Sequence, residues 1–93
     1  MKEAGEFAIA YDVTDDAERR KVDVILRGFG FRVQKSVFEC KLTRADQRAV
    51  IAALEALRLQ TGSVKIYRIY GGTKARVIGQ PMVDHDADFA YVV

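Results

Sequence analysis

The chain holds a single cysteine, Cys40, so no disulfide can form within it. That usage fits a reducing compartment, and the expected location is the cytoplasm. No apolar run approaches the roughly 18 residues of a membrane-spanning helix, so no membrane association is expected. The opening "MKEAGEFAIAYD" carries charges where a secretory signal would be apolar, so export is not expected either. Repeats and low-complexity stretches are absent. No glycine-rich loop stands out, which argues against a small-molecule-binding regulator. The single proline, Pro81, stands at the head of a C-terminal tail. Acids are missing between Glu55 and Asp84, where Arg58, Lys65, Arg68, Lys74 and Arg76 all fall.

What is present describes one small domain. The chain has 93 residues, 49% apolar and 30% charged, as in an ordinary globular chain. A chain this size buries only roughly 60–65% of its unfolded surface, so association with a second copy would add stability. The net charge of +2 is unevenly distributed. Residues 1–80 carry all 15 Lys and Arg and a net +5, whereas 81–93 carry three acids and a net −3. A basic body with an acidic tail allows a polyanionic partner without requiring one.

Residues 7–13 alternate strictly. Phe7, Ile9, Tyr11 and Val13 fall on one face, and Ala8, Ala10 and Asp12 on the other, as in a strand with one bulky and one small face. Asp15 followed by Glu18 reads as a capping box for a helix over 16–27, with Val22, Ile25, Leu26 and Phe29 at helical spacing. Gly28 and Gly30 end it. "FRVQ" (31–34) and "SVFECKL" (36–42) make a tight hairpin. Thr43, with Asp46 three residues on, caps a second helix whose inner face is Val50, Ala53, Leu54 and Leu57. Gly62 ends that helical region. "SVKIYRIY" (63–70) is a further strand, "GGTK" (71–74) a loop and "ARVIG" (75–79) a short last strand. The order β-α-β-β-α-β plus one strand predicts an α+β, ferredoxin-like domain over 1–80 with an antiparallel sheet. Residues 81–93 form an acidic, then apolar, tail. The two helices cover one sheet face, and the expected homodimer uses the open one.

On that open face the charge at Asp12 needs an explanation. A twofold contact would bring Asp12 against its own copy, where two carboxylates repel unless a cation sits between them. A hard ion with oxygen ligands, Mg²⁺ or Mn²⁺, suits such a site. An aspartate at a strand end is equally a turn former or a neighbour of a helix cap. Spacing alone leaves both readings open.

The stretch "YDVTDDAERRKVDVILRGFGFRVQKSVFE" (11–39) resembles the signature of the CRISPR-associated "Cas two" family. Its elements are tyrosine-aspartate, an acidic turn, an arginine, a helix ending in aromatic-glycine, then Arg-Val-Gln-x-Ser-Val-Phe-Glu. "VKIYRI" (64–69) is similar to the family's fourth strand. The resemblance implies a ferredoxin-like homodimer in which Asp12 and its mate bind one divalent metal, Mg²⁺ or Mn²⁺. It implies a metal-dependent endonuclease acting on single-stranded RNA or duplex DNA. It also implies a duplex-DNA scaffold that bridges two "Cas one" integrase dimers during spacer acquisition. Asp12 matches the family aspartate and Tyr11 the tyrosine before it. Arg19 and Lys21 match basic positions on the first helix, and Arg32 one on the second strand. Ser36 and Phe38 match Ser-Val-Phe.

Read chemically, a metal on Asp12 could activate water and polarise a phosphoryl oxygen. Asp15 and Asp16 read as cap residues. Arg19, Arg20 and Lys21 are either a solvated face or phosphate contacts. Phe38 is either core or a base-stacking platform, Ser36 a site donor or a hairpin hydrogen-bonder, and Cys40 a packing residue. His85 in "DHDAD" matches no defined metal spacing, and "FAYVV" (89–93) is apolar enough to seek a strand edge or a partner. Two functions follow: a non-catalytic DNA scaffold of spacer acquisition, and a metal-dependent phosphodiesterase. The first ranks higher as a cellular role, because the basic residues lack any insertion that could read a groove.

Overall fold

The structure is a computed structural model and describes residues 4–70 and Ile78. Six elements follow in order: β1 (Gly5–Val13), α1 (Asp16–Arg27), β2 (Gly30–Gln34), β3 (Val37–Leu42), α2 (Arg44–Ala56) and β4 (Gly62–Ile69). They form the expected α+β fold, a four-stranded antiparallel sheet ordered β2-β3-β1-β4. The expected loop at 71–74, the extra strand at 75–79 and the tail at 81–93 lie outside the described residues. Among the described residues no helix is long and apolar enough to cross a membrane.

β1 is central and decides the layering. Its bulky residues Phe7, Ile9, Tyr11 and Val13 are all buried, against Val22 and Leu26 of α1, Val50 and Leu54 of α2, and Phe38, Cys40 and Leu42 of β3. Ala8, Ala10 and Asp12 point to the face without helices. Register sets Glu39 and Tyr67 beside Ala8, Val37 and Lys65 beside Ala10, and Ser63 beside Asp12. The strand starts two residues earlier than the alternation suggests. Gly5 and Glu6 pair with Leu42 and Lys41, and backbone pairing needs no side-chain pattern.

The helix starts follow local chemistry. The Asp15 carboxylate accepts from the Glu18 N–H at 2.9 Å. At α2 the capping box closes: the Asp46 N–H donates to Thr43 Oγ1 at 3.1 Å, and the Thr43 N–H to Asp46 Oδ2 at 2.9 Å. At α1 the expected box does not close, because the Glu18 side chain reaches another loop. Gly62 is also not the terminator of α2. That helix stops at Ala56, and Arg58 takes the left-handed conformation just after it, with φ 51°. The N–H of Arg58 still bonds the Glu55 carbonyl at 3.1 Å, so the turn is hydrogen-bonded in spite of the Cβ clash.

A left-handed L-residue costs roughly 1–2 kcal/mol, which glycine avoids while adding entropy to the unfolded chain. Arg58→Gly is therefore expected to stabilise the protein by about 1 kcal/mol, read as a higher urea midpoint at unchanged m-value. A lower midpoint would show that the Arg58 side chain contributes more than its backbone costs.

Candidate nucleic-acid and metal site

Asp12 lies at the end of β1, exposed on the helix-free face. Its backbone is held hard against β4. A Cβ placed on Gly62 would meet the Asp12 carbonyl oxygen at 1.8 Å, so only glycine permits this approach. The Asp12 carboxylate itself has no hydrogen bond or ion pair among the described residues.

Beside it opens a cleft of about 830 Å³, bounded by the end of β1, one face of α1, β2 and the β2–β3 turn. The α1 face consists of Asp16, Arg19, Arg20 and Asp23, spaced three, four and seven residues apart. The structure thus gathers Tyr11, Asp12, Arg19, Arg20, Arg32 and Ser36 around one opening. Lys21 points elsewhere, as an electrostatic neighbour of Glu18.

The cations differ in what they touch. Arg19 donates to the carbonyls of Val13 at 3.2 Å and Thr14 at 3.3 Å, and pairs with Asp16. It holds the strand end beside Asp12. Arg32 pairs with Asp23, which also accepts from Arg27 Nε at 2.8 Å. The Arg32 guanidinium lies over the Phe38 ring, 5.5 Å from its centroid, and its Nε is buried without a hydrogen-bond partner. Arg20 and Lys35 are exposed and have no ion pair among the described residues. They are the cations best placed to meet an outside anion.

Phe38 is fully buried, so it cannot serve as a base-stacking platform. It acts as a floor under Arg32 and Tyr11, whose ring centroid is 6.4 Å away. Tyr11 is fixed by its N–H, which donates to the Ser36 carbonyl at 3.0 Å. Through this carbonyl Ser36 ties the β2–β3 turn to β1.

Lys35 and Asp23 escaped the sequence reading. The one signal for Asp23 was its spacing from Asp16 and Arg20 on the helix. Lys35 gave none, because only the β2–β3 register carries that turn to the end of β1.

A metal would find limited help in one chain. Among the described residues no three His, Cys, Asp or Glu side chains come together. The donor offered is a single hard carboxylate. That suits a largely hydrated Mg²⁺, which binds through one or two carboxylates and keeps its waters, and it does not suit Zn²⁺. Cys40 is no alternative ligand: burial, with Glu39 beside it, pushes its thiol up to about 11.

The family profile described as CRISPR associated protein Cas2 matches residues 6–77. The chain belongs to the Cas2 family. A Mycobacterium tuberculosis protein named CRISPR-associated endoribonuclease Cas2 is 29% identical over 83 residues, 89% of this chain and 74% of that one. A Thermus thermophilus protein named CRISPR-associated endonuclease Cas2 2 is 36% identical over 77 residues, 78% of this chain and 82% of that one. The crystal structure of Streptococcus pyogenes Cas2 superposes with a TM-score of 0.68 at 26% identity, covering 80% of this chain and 99% of that one.

Glu18 ties this Cas2 chain's first helix to the loop before β4. Its carboxylate accepts from Thr61 Oγ1 at 2.5 Å, the Gln60 N–H at 2.8 Å and the Thr61 N–H at 3.0 Å. The Thr61 hydroxyl first, then the Gln60 amide, hold it below the ordinary 4.5. A carboxyl lowered on folding stabilises fully above its unfolded pKa, and that contribution fades as pH falls through the lower folded value. Glu18→Gln is therefore expected to lose stability relative to wild type at pH 7 and to converge with it as the pH drops below about 4. Urea melts from pH 7 to pH 3 measure this, and a constant difference throughout would refute the assignment.

Proposed function

We propose that this chain serves CRISPR spacer acquisition as a homodimeric scaffold that binds duplex DNA and bridges two dimers of the Cas one integrase. The observation that carries this reading is the cleft rim, where Arg20 and Lys35 are exposed and have no ion pair among the described residues. Such cations suit phosphates, and no described element protrudes to read base edges. The helix-free face supports the dimer. Ala8 and Ala10 keep its centre shallow, and Val37, Tyr67 and Ile69 give it apolar area for a second sheet. In this reading residues 1–80 form the domain, the strand expected at 75–79 pairs with the second copy's sheet, and 81–93 dock a partner.

A second reading is favoured by Asp12. An exposed carboxylate with no partner among the described residues, beside cations, is the minimum equipment for metal-assisted phosphodiester hydrolysis. Relatives carrying the names endoribonuclease and endonuclease support it. Asp12 from each of two copies would hold one Mg²⁺ or Mn²⁺. When bound, that ion would lower the pKa of a coordinated water and polarise the phosphoryl oxygen. Arg20 and Lys35 would bind the flanking phosphates, and Arg19 would keep the strand end fixed.

Duplex DNA affinity is expected to fall steeply with salt and to vary little with sequence. Arg20→Ala combined with Lys35→Ala should flatten the slope of log K against log salt by about 0.9 for each phosphate no longer neutralised. An unchanged slope would assign both residues to a solvated surface. For the catalytic reading, cleavage of single-stranded RNA and duplex DNA is compared for wild type and Asp12→Asn, with and without Mg²⁺ or Mn²⁺. Metal-dependent cleavage that disappears in Asp12→Asn supports it. Equal cleavage by the two proteins would exclude Asp12 as the ligand.

A further inference from the structure

Thr61 occupies a position that neither the cleft nor the cation array explains. Its carbonyl accepts from the Thr14 N–H at 3.2 Å and from Thr14 Oγ1 at 3.3 Å. Its hydroxyl accepts from the Asp15 N–H at 3.1 Å while donating to Glu18 at 2.5 Å. Its own N–H also goes to Glu18. One exposed threonine thus uses all of its backbone and side-chain polar groups to fasten the β1–α1 turn to the α2–β4 loop. Exposed threonines ordinarily leave these groups to water, so such full use at a surface marks a built junction.

The junction sits immediately beside Asp12. Thr61 precedes Gly62, which pairs with Val13 and packs against the Asp12 carbonyl, and Ser63 pairs with Asp12 itself. From the other side Arg19 grips the carbonyls of Val13 and Thr14. The Asp12 backbone is therefore flanked on its C-terminal side by a turn that cannot shift unless Thr61 lets go.

We propose that Thr61 and Glu18 are positioning residues for Asp12, setting the strand-end geometry from which its carboxylate meets a hydrated divalent ion. This rests on the metal reading of Asp12 given above. The clamp explains how a carboxylate with no side-chain partner among the described residues can still be preorganised: its backbone is fixed when its side chain is not. Both residues act through the backbone and touch neither metal nor phosphate.

The test uses Mn²⁺ as the probe, with the full chain and the variants Thr61→Val, Thr61→Ser, Glu18→Gln and Asp12→Asn. Mn²⁺ binding is followed by electron paramagnetic resonance, and amide exchange by NMR without metal. Thr61→Val and Glu18→Gln are expected to weaken Mn²⁺ binding roughly fivefold to tenfold. They should speed exchange at Thr14 and Asp15 by at least about tenfold, with core amides of β3 and α2 unchanged. Thr61→Ser keeps the hydroxyl and should restore both. Wild-type affinity in Thr61→Val, with or without faster exchange, would overturn the inference while leaving the metal reading intact. Loss in Thr61→Ser equal to that in Thr61→Val would also overturn it, since the hydroxyl would then be irrelevant. Equal Mn²⁺ binding by wild type and Asp12→Asn is a different failure: it would remove the metal from Asp12, and the inference with it.

Discussion

The central strand β1 has to satisfy two neighbours and two faces at once. It pairs with β3 on one side and β4 on the other, so its backbone cannot slide without breaking both ladders. A shift of one residue would turn Phe7, Ile9, Tyr11 and Val13 outward and bury Asp12. Burying four large side chains contributes on the order of 6–12 kcal/mol, and burying an unpaired carboxylate costs several more. That asymmetry locks the register, and the register places everything else. It carries Ser63 to Asp12, brings Gly62 against the Asp12 carbonyl, and sets Ser36 where the Tyr11 amide can reach it.

From this frame the charges sort themselves by what lies within reach. Asp16 and Asp23 on α1 each pair with an arginine, Arg19 and Arg32, and so tie these two cations down. Arg32 also covers Phe38, an arrangement that its planar guanidinium permits and a lysine would not reproduce. Arg20 and Lys35 have no such acid among the described residues and stay available at the rim. The cleft is therefore not uniformly basic. It has a partly buried pair, Arg32–Asp23, an exposed pair, Arg19–Asp16, and two exposed cations, Arg20 and Lys35, with no ion pair among the described residues. An exposed pair such as Arg19–Asp16 contributes little stability, so its value lies in holding shape.

The two helix starts show how far local chemistry reaches. Thr43 and Asp46 form a closed box, each side chain accepting the other residue's backbone N–H. At α1 the same spacing of Asp15 and Glu18 yields only half a box, since the α2–β4 loop offers Glu18 three donors. A motif of four residues was right about the helix and wrong about the side chain, because a better partner arrived from 42 residues away. Arg58 tells the same story for the end of α2. The sequence put its glycine at Gly62, and the chain turned earlier through a residue that had to adopt φ 51°.

The sequence by itself determined the order of the six described elements, the inward and outward faces of β1, both N-caps and the exposure of Asp12, and it carried the family signature. Apart from the signature over 11–39, each of these rests on residues within about one helical turn or a two-residue alternation, where propensity and hydrophobic period act directly. Only the tertiary structure decided which cations are neutralised, that Phe38 is a floor and not a platform, that Lys35 belongs to the cleft, and that Thr61 joins two loops beside Asp12. Those contacts depend on strand register and on the turns it brings together, and no local pattern encodes a neighbour that the fold must first deliver.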